Sequence, residues 1–123
     1  MTNFDMVREF MKACDQKVET HAHMPDNDTV KLRYDLIREE LNELHDGIAD
    51  ENLVEIADAL TDLLYVVYGA GHAFGIDLDA CFSEVHSSNM SKLVDGRAIK
   101  NETDKVMKPA TYVPPNLLKI LKM

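Results

Sequence analysis

Six acidic residues stand where a helix would be expected to carry leucines. Residues 36–44 read LIREELNEL, with Glu39, Glu40 and Glu43 set among apolar side chains. A little further on, Glu55, Asp58 and Asp62 interrupt the run VEIADALTDLLYVVYGAGHAF. Two carboxylates about 4 Å apart repel by roughly 4 kcal/mol at an effective dielectric of ~20. Four or five together would cost more than the ~5–15 kcal/mol net stability of a typical domain. Such groups must be protonated, spread apart or bound to a cation. Hard oxygen donors with no His or Cys among them select magnesium, with manganese as a substitute, over zinc.

Whether the acids converge depends on the face they occupy. A helix turns ~100° per residue, so with Leu32 at zero, Lys31, Asp35, Arg38, Asn42, His45 and Asp46 fall within roughly 220–320°, a solvent face. Glu39, Glu43 and Glu40 fall near 340°, 20° and 80°, on the arc that also carries Leu32 and Leu36. On the next helix Glu55, Asp58 and Asp62 share an arc of roughly 60°. An E-x-x-E on one helix usually marks a solvated face. Here two such patterns fall on consecutive, antiparallel segments, both on the side expected to face neighbours.

Four amphipathic segments must position these residues. Thr2 and Asp5 can cap a first helix running to about residue 19, and Pro25 to Asp28 supply turn and cap residues. A second helix is expected over about 29–48 and a third over about 50–74, too long for a strand and ended by Gly75. Asp77 can cap a fourth, LDACFSEVHSSNMSKL. After Gly96 the periodicity stops, leaving an extended tail with a final helical turn at NLLKIL. The expectation is one all-α domain over residues 1–123: a four-helix-bundle core over 1–96 and an irregular tail over 97–123.

The 123 residues suit a single domain, and the net charge of −9 removes the basic stripe that nucleic-acid binders turn toward phosphates. A phosphorylated small molecule still fits if a divalent cation stands between the two negative partners. Cys14 and Cys81 form no metal-binding spacing and suggest two reduced, part-buried thiols in a cytoplasmic protein. No apolar run has the length of a signal peptide or membrane span. His21 and His23 form an H-x-H with no partner ligand in view.

The sequence Glu39-Glu40-Leu41-Asn42-Glu43, followed by Glu55-Ile56-Ala57-Asp58, resembles the E-E-x-x-E and E-x-x-D pair of the all-α nucleoside triphosphate pyrophosphohydrolases, the MazG-like superfamily. The stretch SEVHSSNMSKL, followed by DG and a K-x-x-K before a Tyr/Pro-rich tail, is similar to a branch related to phosphoribosyl-ATP pyrophosphatase-like proteins. The resemblance spans most of residues 4–118. It implies magnesium-dependent cleavage of a nucleoside triphosphate between the α and β phosphates, with a house-cleaning role in the nucleotide pool. Carried over by position, Glu40, Glu43, Glu55 and Asp58 would hold metal, and Glu39 would be the general base. Asp62, outside the core motif, could reach a metal from one turn beyond Asp58. Phe82, Val85, Asn89 and Lys92 share one stripe, expected to be a core-facing seam. Given the resemblance, Lys92 is a phosphate ligand and Asn89 a polar contact to the nucleotide, while Lys105 and Lys108 could close over phosphates. Tyr65 could stack on a base, although tyrosines at helical spacing are more often core.

Two rivals come from other classes. A di-iron bundle needs Glu-x-x-His on two helices, and the chain has none. A non-catalytic helical interaction module explains the apolar third helix but not the acidic arcs. The same helix is more apolar than a chain of this size can easily cover, which points to a homodimer or a dimer of dimers, and sites shared across its interface are expected.

Overall fold

Every helix start in the chain is closed by a side chain of the type the sequence offers. In the computed structural model, which describes residues 1–123, the Thr2 side chain accepts from the Asp5 N–H while Asp5 accepts in return from Thr2, opening α1 at Asn3–Ala13. Asp26 caps α2, Asn27–Ala49, by accepting from the Thr29 N–H at 2.7 Å. Asn52 caps α3, Leu53–Phe74, and Asp77 caps α4, Leu78–Met90. Each such cap satisfies one of the orphan N–H groups at a helix start and contributes ~1 kcal/mol. The fold is all-α apart from one two-stranded ribbon.

The chain forms two compact units, Met1–Ile76 and Asp77–Met123. In the first, α2 and α3 form a helical hairpin across the three-residue link 50–52. Their close approach is set at Gly47, where an added Cβ would stand 3.3 Å from the Ile56 nitrogen and 3.4 Å from the Glu55 carbonyl carbon. The α1 helix crosses α3 and buries Phe4, Val7 and Met11. Phe4 stacks on His72 with ring centroids 3.8 Å apart, and the His72 Nε2 lies 2.8 Å from the Phe4 carbonyl, which accepts its proton. Burial, first of all, holds the His72 imidazole below its usual pKa, and it is neutral.

The first helix is shorter than expected. It stops at Ala13 because Asp15 turns left-handed at φ 57° and the Gln16 N–H closes back on the Met11 carbonyl, a Schellman ending without glycine. The connector then runs over the end of α3, where the Glu19 and His23 N–H groups donate to the His72 and Phe74 carbonyls. Gly75, at φ 69°, ends α3 as expected, and the connector explains why only glycine fits: a Cβ there would overlap the His21 carbonyl. The second helix begins two residues earlier than expected, and the third begins at Leu53 because Asn52, not a residue before it, makes the cap.

In the second unit, β1 (Leu93–Val94) pairs antiparallel with β2 (Arg97–Ala98) around Asp95-Gly96, both at positive φ. The Asp-Gly pair is a two-residue hairpin signal that an expectation of extended tail overlooks. The tail is anchored to α4. The Val113 N–H donates to the Ser91 hydroxyl, the Thr111 hydroxyl donates to the Ser91 carbonyl, and the Asn116 N–H donates to the Glu84 carboxylate. The expected final turn is present as α5, Leu117–Leu121.

Candidate metal centre

An antiparallel hairpin brings the C-terminal half of α2 opposite the N-terminal half of α3. Gly47 against Ile56 sets the register, so Glu43, one turn back, faces Glu55, Asp58 and Ala59, and Glu40, a further turn back, faces Asp62. Carboxylate oxygens of Glu40, Glu43 and Asp62 all lie within 4.8 Å of one another. A cleft of ≈ 520 Å³ adjoins them, lined by Glu43, Asp46, Val54, Glu55, Asp58 and Ala59. Glu43 belongs to both groupings. The acids from the two helices therefore form a continuous row, with Glu40 and Asp62 at its inner end and Glu55 and Asp58 at its outer end.

The inner end is electrostatically stressed. Desolvation first, then the neighbouring Glu43, Asp62 and Glu39 carboxylates, push the Glu40 pKa from 4.5 to about 7. Desolvation, with Asp58 and Glu43 nearby, also raises that of Asp62. Glu40 Oε2 is buried and has no hydrogen-bond partner. No ammonium or guanidinium forms an ion pair with any of the six acids. An orphaned carboxylate oxygen, two raised pKa values and an all-oxygen donor set fit a hard divalent cation, which would supply the positive charge that the side chains lack.

Several expectations need refinement. Asp62, outside the motif, is a member of the tight cluster, whereas Glu55 and Asp58 line the adjoining cleft. Glu39 is exposed, and Glu43, though its carboxylate reaches the acids of α3, is exposed as well, because a two-helix contact covers only a narrow strip of α2. Asp46 is exposed as expected, yet it lines the cleft; its place one turn beyond Glu43 was the available signal.

The expected core seam on α4 is a correction. Phe82 is 74% exposed, and Val85 and Asn89 are exposed too, because the buried side of α4 carries the small residues Cys81 and Ser88. Cys14 is exposed rather than part-buried, since it sits at the open end of α1. Within the second unit, Lys92 donates to the Asn89 side-chain carbonyl at 3.1 Å. The Lys92 and Lys108 ammonium groups lie 5.7 and 5.2 Å from the Tyr112 ring centroid. Two of the predicted binding lysines thus meet at Tyr112, and the third predicted residue, Asn89, holds one of them. Lys105 contributes a backbone N–H to the Asn101 side chain. Tyr65, at the edge of Phe10 with centroids 5.9 Å apart, lines a small apolar groove with Met6, Leu64 and Tyr68.

The profile of the phosphoribosyl-ATP pyrophosphohydrolase family matches residues 7–89. The chain is also 49% identical over 82 residues to an uncharacterised protein of Acanthamoeba polyphaga mimivirus, a match covering 63% of this chain and 33% of that protein. The chain therefore corresponds to about a third of that relative's length.

Proposed function

From the premise that this chain belongs to the phosphoribosyl-ATP pyrophosphohydrolase family, within the MazG-like superfamily of hydrolases acting on pyrophosphate bonds, we propose that it is a magnesium-dependent nucleoside triphosphate pyrophosphohydrolase. The products would be a nucleoside monophosphate and pyrophosphate, in a cytoplasmic house-cleaning role. The observation that carries the reading is the convergence of the Glu40, Glu43 and Asp62 oxygens beside a cleft lined by Glu55 and Asp58.

Glu40, Glu43 and Asp62, with Glu55 and Asp58 along the cleft, would hold magnesium, or manganese in its place. When bound, the metal neutralises phosphate charge and orients the anhydride. Without cations this row of carboxylates repels a triphosphate, so the same residues that hold metal also exclude substrate from the metal-free protein. Water breaks the α–β anhydride bond, and its proton passes to a carboxylate within hydrogen-bond reach. Glu39 is assigned that role: it is exposed, adjoins Glu40 in sequence and has no ion pair that would lower its availability. Asn89, Lys92, Lys105 and Lys108 are assigned to phosphate and nucleotide contacts. The placement of two ammonium groups at the one Tyr112 ring supports this, because both can reach an anion bound near it. Tyr65 is retained as a base contact on the strength of its partly exposed ring.

Self-association is part of the proposal. Leu53 and Val54 are each 79% exposed at the start of α3, and Leu60 and Leu64 continue an open apolar surface. A homodimer, or a dimer of dimers, would cover it.

The test is release of pyrophosphate from a panel of nucleoside triphosphates with magnesium or manganese. The expected result is metal-dependent, equimolar monophosphate and pyrophosphate, abolished in Glu43→Gln. Turnover unaffected by a chelator, or release of single phosphate, would reject the reading. A folded chain that turns over nothing yet self-associates would favour the non-catalytic interaction module.

A further inference from the structure

The chain has two fully buried side-chain atoms without a hydrogen-bond partner, Glu40 Oε2 and Arg33 Nε. The first belongs to the acidic centre. Arg33 lies seven residues earlier on α2, about 10.5 Å along the axis at 1.5 Å per residue and within roughly 20° of the same stripe. It is 8% exposed, and none of the chain's ion pairs includes it. A buried guanidinium nitrogen without an acceptor is an unfavourable arrangement that folded proteins rarely keep.

The surroundings are built to accommodate that group and yet supply no ion-pair partner. A Cβ on Gly69 of α3 would stand 2.7 Å from Arg33 Nη1, so the missing side chain leaves the room the guanidinium occupies. The neighbouring His72 is neutral, its nearest acceptor being used by its own ring, and the positive charge of Arg33 helps to keep it so. A cleft of ≈ 200 Å³ opens beside this group, lined among others by Lys17, Glu19, His23, Asp26, Thr29 and Arg33. Both of its carboxylates are engaged elsewhere. Glu19 pairs with Lys17 at 3.0 Å and lies 3.9 Å from His23, and Asp26 accepts from the Thr29 N–H.

We propose that this cleft is an oxyanion site, in which a phosphate or carboxylate group of a small molecule supplies the acceptors that Arg33 lacks. Its volume corresponds to roughly six or seven waters at ~30 Å³ each and is smaller than the ~300 Å³ at which pockets for whole drug-sized ligands begin. It takes one anionic group with its immediate substituents. Thr29 and Lys17, the latter paired with Glu19, also line the cleft, and a planar guanidinium suits two oxygens of one oxyanion. None of the residues lining this cleft belongs to the acidic centre.

The test uses the full chain in a chelator, so that bound metal contributes nothing. Inorganic phosphate and acetate are titrated against sodium chloride of equal ionic strength. Thermal melting and the Arg33 Nε–H resonance in a proton–nitrogen correlation spectrum are followed. The expected result is a saturable rise in melting temperature with phosphate, acetate or both, accompanied by a shift of the Arg33 Nε–H signal. Saturation by phosphate alone identifies a phosphate site, and saturation by acetate alone a carboxylate site. Arg33→Gln should weaken the effective anion at least tenfold. Gly69→Ala keeps the charge but displaces Nη1, and should weaken it several-fold even if Arg33→Gln does not fold. If neither anion acts beyond chloride, or if Arg33→Gln binds as tightly as the wild type, the proposal is overturned.

Discussion

Replacing Glu40 by glutamine should make the metal-free protein more stable, although it removes a residue assigned to the centre. At pH 8 the wild-type carboxyl must be ionised in the folded state against desolvation and three carboxylate neighbours, which move its pKa from 4.5 to about 7. At ~1.4 kcal/mol per pKa unit this corresponds to about 3 kcal/mol at full strength. Water reaches Glu43 and the adjoining cleft, so screening reduces the figure to roughly 1–2 kcal/mol. The sign follows from the direction of the shift. A carboxyl whose folded pKa is raised binds its proton more tightly in the folded state, so its stabilising contribution is present below about 4.5 and lost as pH rises through about 7. A glutamine is neutral throughout and can donate an N–H to Glu43. The variant should therefore melt about 3–8 °C higher than wild type in a chelator at pH 8, and at the same temperature near pH 4. Divalent cation reverses the order. A wild type that binds metal gains ~2.7 kcal/mol at a hundredfold excess over its Kd, and the variant gains little. Calorimetry at both pH values, in chelator and in manganese, reads all four quantities. A variant less stable than wild type in chelator at pH 8, or one that still gains the full metal-dependent shift, would refute the argument that electrostatic stress at Glu40 is what metal relieves.

Glu39→Gln should keep the metal-dependent rise in melting temperature while losing about 10²- to 10⁴-fold in kcat, the usual worth of a general base; a wild-type rate would remove Glu39 from the mechanism. Gly47→Ala forces a methyl to 3.3 Å from the Ile56 nitrogen, so urea unfolding should show a loss of about 1–3 kcal/mol. Metal affinity should fall with it as Glu43 and Glu55 are levered apart, and an unchanged affinity would show that the hairpin spacing does not matter. Light scattering at micromolar concentration should give at least twice the monomer mass, and a monomeric mass would leave the exposed apolar surface of α3 without its proposed cover.

Local rules made much of this protein legible. The caps at Thr2 and Asp77, the stop at Gly75 and the all-α class depend on hydrogen bonding and periodicity within a few residues, and they are read from the chain in one pass. The acidic motif was equally plain, because charge among leucines is conspicuous wherever the helix points. Longer-range matters were not. Which acid stands nearest which depends on the hairpin register, and that is set by the close approach at Gly47, a contact with no signature in sequence spacing. So Asp62 rather than Glu55 closes the tight cluster. The stripe Phe82-Val85-Asn89-Lys92 had the right period for a seam, but period alone does not say which side of a helix is covered. Arg33 shows the limit most clearly. As a residue on an amphipathic helix it is unremarkable, and only the folded chain, by placing it over Gly69 without an ion pair, leaves its buried Nε in need of a partner. Local pattern in the chain dictates which helices form and which chemical groups they carry. Packing of those helices dictates which groups meet, because electrostatic and packing energies depend on distances through space that helical periodicity leaves open.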